Sequence, residues 1–137
     1  MSRSARPRKP YRPRLVRIPV MPQLIREFEL ALRTQLGWMT ASRQVTSSAP
    51  LDALARAFNV LNTAHPELTS APVLGGFART LQRLIDRQVA AGRVTLNEFD
   101  AATLAAGINH LLELLPRADV SRLYAALQAL RNAQRAV

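Results

Sequence analysis

Seven cations stand in the first seventeen residues, MSRSARPRKPYRPRLVR, with no acidic residue among them: Arg3, Arg6, Arg8, Lys9, Arg12, Arg14 and Arg17. A guanidinium presents paired N–H donors that match phosphate oxygens. A run of them on a polyanion gains free energy by releasing condensed counterions. Tyr11 lies inside the run, where its ring could stack on an exposed base. The chemistry this stretch can do is therefore ionic recognition of phosphate or of an acidic protein face.

A second candidate lies further on. Arg79, Arg83 and Arg87 are spaced i, i+4, i+8, which on a helix makes one basic ridge. The ridge reads either as an ordinary solvated face, relieved by Asp86 and Glu67, or as a second phosphate contact. Arg131 and Arg135 read as structural, because a helix C-terminus favours cations.

Catalytic patterns are poor. There is no cysteine, hence no thiolate metal site and no cysteine nucleophile. His65 precedes a proline and reads as a boundary residue in a loop. His110 and Glu113 are an isolated His-x-x-Glu, expected to be a surface pair rather than a metal site. Glu98 and Asp100 suit the positive end of a helix dipole. Gly75-Gly76 has no preceding strand and no following Gly-Lys-Ser/Thr, so it is no phosphate loop. No Gly-x-Ser-x-Gly occurs. The expectation is no enzyme, no cofactor and no metal.

The elements that would position the cations follow from proline spacing and apolar periodicity. Pro7, Pro10 and Pro13 recur every third residue, and the period returns at Pro19 and Pro22. This matches the turn of polyproline II, in which fourteen residues would reach roughly 40 Å. Projected on that helix, one edge runs Arg6, Lys9, Arg12 and then turns apolar at Leu15, Ile18 and Met21. The arm is thus expected to have two parts. Met1 to about Arg14 would be mobile and solvated, and Leu15 to Met21 would dock on the body through Leu15, Ile18 and Met21.

Pro22 suits the first turn of a helix, and Leu24, Ile25, Phe28, Ala31, Leu32, Gln35, Leu36 and Met39 continue at helical spacing. Leu30 and Trp38 fall off that stripe, and Trp38 is a candidate for a second contact. A second helix is expected from about Pro50 with Ser48 as cap, ending before His65-Pro66. A third runs from about Pro72 to Ala91, closed by Gly92, and Gly75-Gly76 could admit a close neighbour. Thr95-Leu96-Asn97-Glu98 reads as a capping box before a fourth helix carrying Phe99, Leu104, Ile108, Leu111, Leu112 and Leu115. Asp119 can cap a fifth, with Val120, Leu123, Tyr124, Leu127 and Leu130 inward. Arg43 to Ser47 is too short and polar for a strand. The fold class expected is all-α: an antiparallel bundle of about five helices behind an extended basic arm, with the arm at 1–19 and the bundle at 20–137.

The totals agree with this division. The chain has 137 residues and 48% hydrophobic residues, enough for a real core in one domain. Its net charge is +10, of which the stretch through Arg17 holds seven. Lys9 is the sole lysine; arginine suits phosphate, and GC-rich coding produces the same bias. No apolar run approaches a bilayer-spanning length, and the basic start lacks the apolar core of a signal peptide. A cytoplasmic protein with no membrane partner is expected.

Lys9-Pro10-Tyr11-Arg12-Pro13 ahead of an all-helical body resembles small basic proteins encoded in prophages and mobile elements of Gram-negative bacteria. Ala106-Gly107-Ile108-Asn109 and Val120-Ser121-Arg122-Leu123-Tyr124 add to the resemblance. It implies a phage or plasmid context and carries over no catalytic or binding residue.

These observations together point to a non-enzymatic nucleic-acid-binding accessory protein. Arg3, Arg6, Arg8, Lys9, Tyr11, Arg12, Arg14 and Arg17 would form the main contact, with Arg79, Arg83 and Arg87 as a second surface. Low sequence specificity is expected, since no element reads base edges, and DNA and RNA stay equally open. The alternative is a protein-interaction module, a phage-type regulator or a virion or assembly component, that docks its arm on an acidic partner. Homo-oligomerisation is open in both.

Overall fold

In a computed structural model, residues 17–135 are described and form an all-helical bundle. Several helix ends are set by proline or glycine. Pro22 opens α1 (Pro22–Ala41), and Pro50 lies in the first turn of α2 (Ala49–Ala64). Pro72 opens α3 (Pro72–Ala91), which Gly92 closes in the left-handed conformation at φ 73°. That φ suits glycine because it has no Cβ to clash. α4 (Glu98–Leu114) runs into a single 3-10 turn, Leu115–Arg117, at Pro116, and α5 (Val120–Arg135) follows.

Consecutive helices alternate in direction, so their loops gather at two poles. At one pole the α1–α2 and α3–α4 loops meet in an isolated antiparallel bridge between Val45 and Val94, both buried. The sequence marks no strand there, and one pair of hydrogen bonds (2.7 and 2.9 Å) is all that forms. At the other pole the α2–α3 connector meets the start of α5. α4 packs on α1 and α3, α2 packs on α1, α3 and α5, and α5 rests chiefly on α2.

The core comes from the expected stripes: Leu32 and Met39 of α1, Leu51, Leu54 and Leu61 of α2, Leu74, Phe77, Leu81 and Leu84 of α3, Leu104, Ile108 and Leu111 of α4. Phe77 sits at its centre with a tilted ring contact to Phe58 at 6.2 Å. The close approach between helices is at Gly107, not at Gly75-Gly76. A Cβ at Gly107 would overlap the Phe77 ring and come within 2.7 Å of its Cβ, whereas Gly76 has only Thr103 Cγ2 nearby, at 3.9 Å.

Several local expectations are corrected. The capping box starts at Asn97, not Thr95: Asn97 Oδ1 accepts from the Asp100 amide at 2.7 Å, and Asp100 Oδ2 accepts from the Asn97 amide at 3.3 Å. The Thr95 hydroxyl instead donates to the Arg43 carbonyl across the bridge. At the start of α2 the Ala49 amide is capped by Ser47 Oγ, and Ser48 makes no cap bond. Phe99 is exposed. Val120 and Tyr124 of α5 are exposed too, and the buried residue of α5 is Ala126. α5 packs mainly on α2, so it buries a narrower face than its apolar stripe offers.

Candidate nucleic-acid interface

Arg3, Arg6, Arg8, Lys9, Tyr11, Arg12 and Arg14 lie outside the described residues, as does Leu15. The interface begins for the structure at Arg17, where the cationic run joins the bundle. Arg17 is exposed, and its Nη1 donates to the Arg117 carbonyl at 3.2 Å. The next residue is held on both sides of its backbone. The Ile18 amide donates to Asp119 Oδ1 at 2.9 Å, and its carbonyl accepts the Val120 amide at 2.9 Å.

This corrects the expected docking mode. Ile18 is 52% exposed and Met21 is exposed, so neither side chain anchors the segment; among its described residues Val20 packs against the core. The attachment is made through the main chain, as extended segments attach to other exposed backbone groups. The arm root is therefore fixed at the start of α5, across a sequence separation of 101 residues.

Asp119 is the hub of that anchor. Besides Ile18 it caps α5, with Oδ2 accepting from the Arg122 amide at 3.3 Å. The Ile18 amide first, and then the Arg122 and Ser121 amides, hold its carboxyl below the usual carboxylate range. Its own amide donates to His65 Nε2 at 2.9 Å. His65 is 3% exposed, so it is a buried coupling residue rather than a loop boundary. Because Nε2 accepts, the ring proton of the neutral imidazole sits on Nδ1, which faces Glu67 Oε1 at 3.0 Å. Glu67 also accepts from Nη1 and Nη2 of Arg122, at 3.1 and 3.3 Å. Its carboxyl is lowered to about 2, chiefly by its own backbone amide and then by His65 and Arg122. No motif marks this node. Its signals in the sequence are a histidine before a proline and the Asp119 cap, with nothing to link the two.

The basic ridge of α3 is divided. Arg83 turns inward and pairs with Asp100, which is 1% exposed at the start of α4. Arg79 and Arg87 stay exposed, about 12 Å apart along the helix. Asp86 accepts from Gln82 on the same helix, and Glu67 pairs with Arg122 rather than with the ridge. Two separated arginines remain where three were expected to line up.

Comparison with known proteins adds no family. No family model, curated protein or solved structure matches the chain. The functional reading therefore rests on its own residues. Among the described residues no His, Cys, Asp and Glu cluster could hold a metal ion, and no helix is long and apolar enough to cross a membrane. His110 Nδ1 and Glu113 stand 3.8 Å apart as the expected surface pair. Trp38 is 72% exposed on a groove at the opposite pole, beside Thr34, Gln35, Ser42 and Gln44.

Proposed function

We propose that this is a non-enzymatic, cytoplasmic nucleic-acid-binding accessory protein of a phage or mobile element. Its contact would be the cationic run Arg3, Arg6, Arg8, Lys9, Arg12, Arg14 and Arg17, with Tyr11 as a stacking residue. The observation that carries the reading is the partition of charge: seven cations and no acid before Ile18, against twelve arginines and nine acids after it. Among the described residues of the bundle, three arginines pair with acids, in Arg83–Asp100, Arg122–Glu67 and Arg33–Glu29. The run holds no acid of its own to oppose its cations, and such a charge excess favours an external polyanion. Arg79 and Arg87 form the secondary surface; Arg83 drops out, because its charge is already opposed.

Binding to duplex DNA, single-stranded DNA and RNA should be measured at two salt concentrations, for the full chain and for a chain beginning at Ile18. The expected result is binding that weakens steeply with salt and is lost on truncation. Equal binding by both chains moves the contact to the bundle, and no binding at low salt ends the reading.

The second reading, a protein-interaction module, draws on Trp38. A tryptophan this exposed is a frequent interface anchor. It would make the Trp38 groove, rather than the arm, the docking surface.

A further inference from the structure

The arm root, the cap of α5 and the α2–α3 connector converge on one buried imidazole, which is more than anchoring a chain end requires. His65 Nε2 accepts the Asp119 amide, and the Asp119 carboxylate in turn accepts the Ile18 amide. This chain of bonds needs an unprotonated Nε2. A proton there makes the nitrogen a donor facing a donor, and the Asp119 amide loses its acceptor.

The charged groups around the ring decide what replaces that bond. From the connector, Glu67 faces Nδ1. From α5, Asp119 presents its carboxylate, and Arg122 is held away on Glu67. Arg17 and Arg117 stand at the outer edge, tied to one another through the Arg117 carbonyl. Of the two anions, Glu67 lies on the Nδ1 side of the ring, whereas Asp119 lies on the Nε2 side. Asp119 is therefore the acceptor nearest in the fold to a new Nε2–H, and its Oδ1 is the atom that holds Ile18.

We propose that the arm is proton-coupled: protonation of His65 draws the Asp119 carboxylate from the Ile18 amide to the imidazolium and loosens the arm root by one of its anchoring bonds. The site regulated is the cationic arm, so the biological meaning rests on the nucleic-acid reading, but the coupling itself does not. In the neutral state the cationic run joins the bundle at a fixed point on α5. In the protonated state the Ile18 amide is freed, and the root is held by the Ile18 carbonyl on the Val120 amide and by Arg17 on the Arg117 carbonyl.

The test is an NMR titration of the full chain between pH 5 and 8, following the His65 ring together with the amides of Ile18 and Asp119. As the ring takes up its proton, both amide protons should shift upfield along the same curve, marking loss of their acceptors. In His65→Gln the side-chain carbonyl can accept the Asp119 amide at any pH, and the two shifts should stay flat. Ile18 and Asp119 amides that do not move while His65 titrates overturn the proposal, as does a ring that takes up no proton in this range. Duplex DNA binding at the two ends of the range, for both chains, separates the claims. Failure to bind DNA with coupled amide shifts removes the nucleic-acid reading and leaves the coupling standing.

Discussion

At the scale of single residues, the arginines of α3 differ although their sequence spacing makes them look equivalent. Arg83 opposes a carboxylate buried in the α3–α4 interface, while Arg79 and Arg87 face solvent. Removing the partner of a buried charge costs far more than trimming a solvated one. Arg83→Ala should therefore lower unfolding free energy by about 2–3 kcal/mol, and Arg79→Ala by no more than about 0.5 kcal/mol, in urea denaturation. Glu67 gives a second residue-scale prediction. Its carboxyl is lowered from 4.5 to about 2, so it binds a proton more weakly folded than unfolded. The stability it contributes is present above the usual carboxylate range and is lost as pH falls from about 4.5 toward about 2. Melting temperatures should decline across that window, and less so in Glu67→Gln. Asp119, shifted in the same direction, keeps part of the slope in that variant.

At the scale of elements, the ends of the helices are readable from the sequence because proline and glycine act locally. Pro22 sets the start of α1, and Pro72 and Gly92 set the bounds of α3, without help from any distant residue. Where an end depends on a choice among polar side chains, the choice is tertiary. Thr95 would serve as a cap, but the Val45–Val94 bridge brings the Arg43 carbonyl to its hydroxyl, and Asn97 takes the cap instead. The same holds for the close contact of α3 with α4. Two adjacent glycines on α3 are the conspicuous signal, yet the helices meet at Gly107, opposite Phe77. Alanine is worth roughly 1 kcal/mol more than glycine inside a helix. Here its methyl would occupy the space of the Phe77 ring, an overpacking cost of about 1–3 kcal/mol or more between two helices that cannot separate freely. Gly107→Ala should therefore be destabilising by thermal unfolding, in spite of its helix propensity.

At the scale of the whole molecule, the sequence projection finds that the basic run has a docked end, but not how it is docked. Of the period-three edge, Leu15 lies outside the described residues, and Ile18 and Met21 are exposed; the observed anchor is the backbone of Ile18 on Asp119 and Val120. Side-chain patterns carry no information about a main-chain bond between segments a hundred residues apart, and the pairing of His65 with Asp119, 54 residues away, is equally invisible. The charge partition, by contrast, needs no fold to be seen. It supports the proposal that the arm rather than the bundle meets a polyanion. Each phosphate neutralised on a duplex changes the slope of log K against log salt by about −0.9. The most direct test is that slope, measured on duplex DNA for the full chain and for the chain beginning at Ile18. The account predicts a full-chain slope steeper by several units, with little binding left in the shorter chain. Equal slopes in the two chains would contradict it.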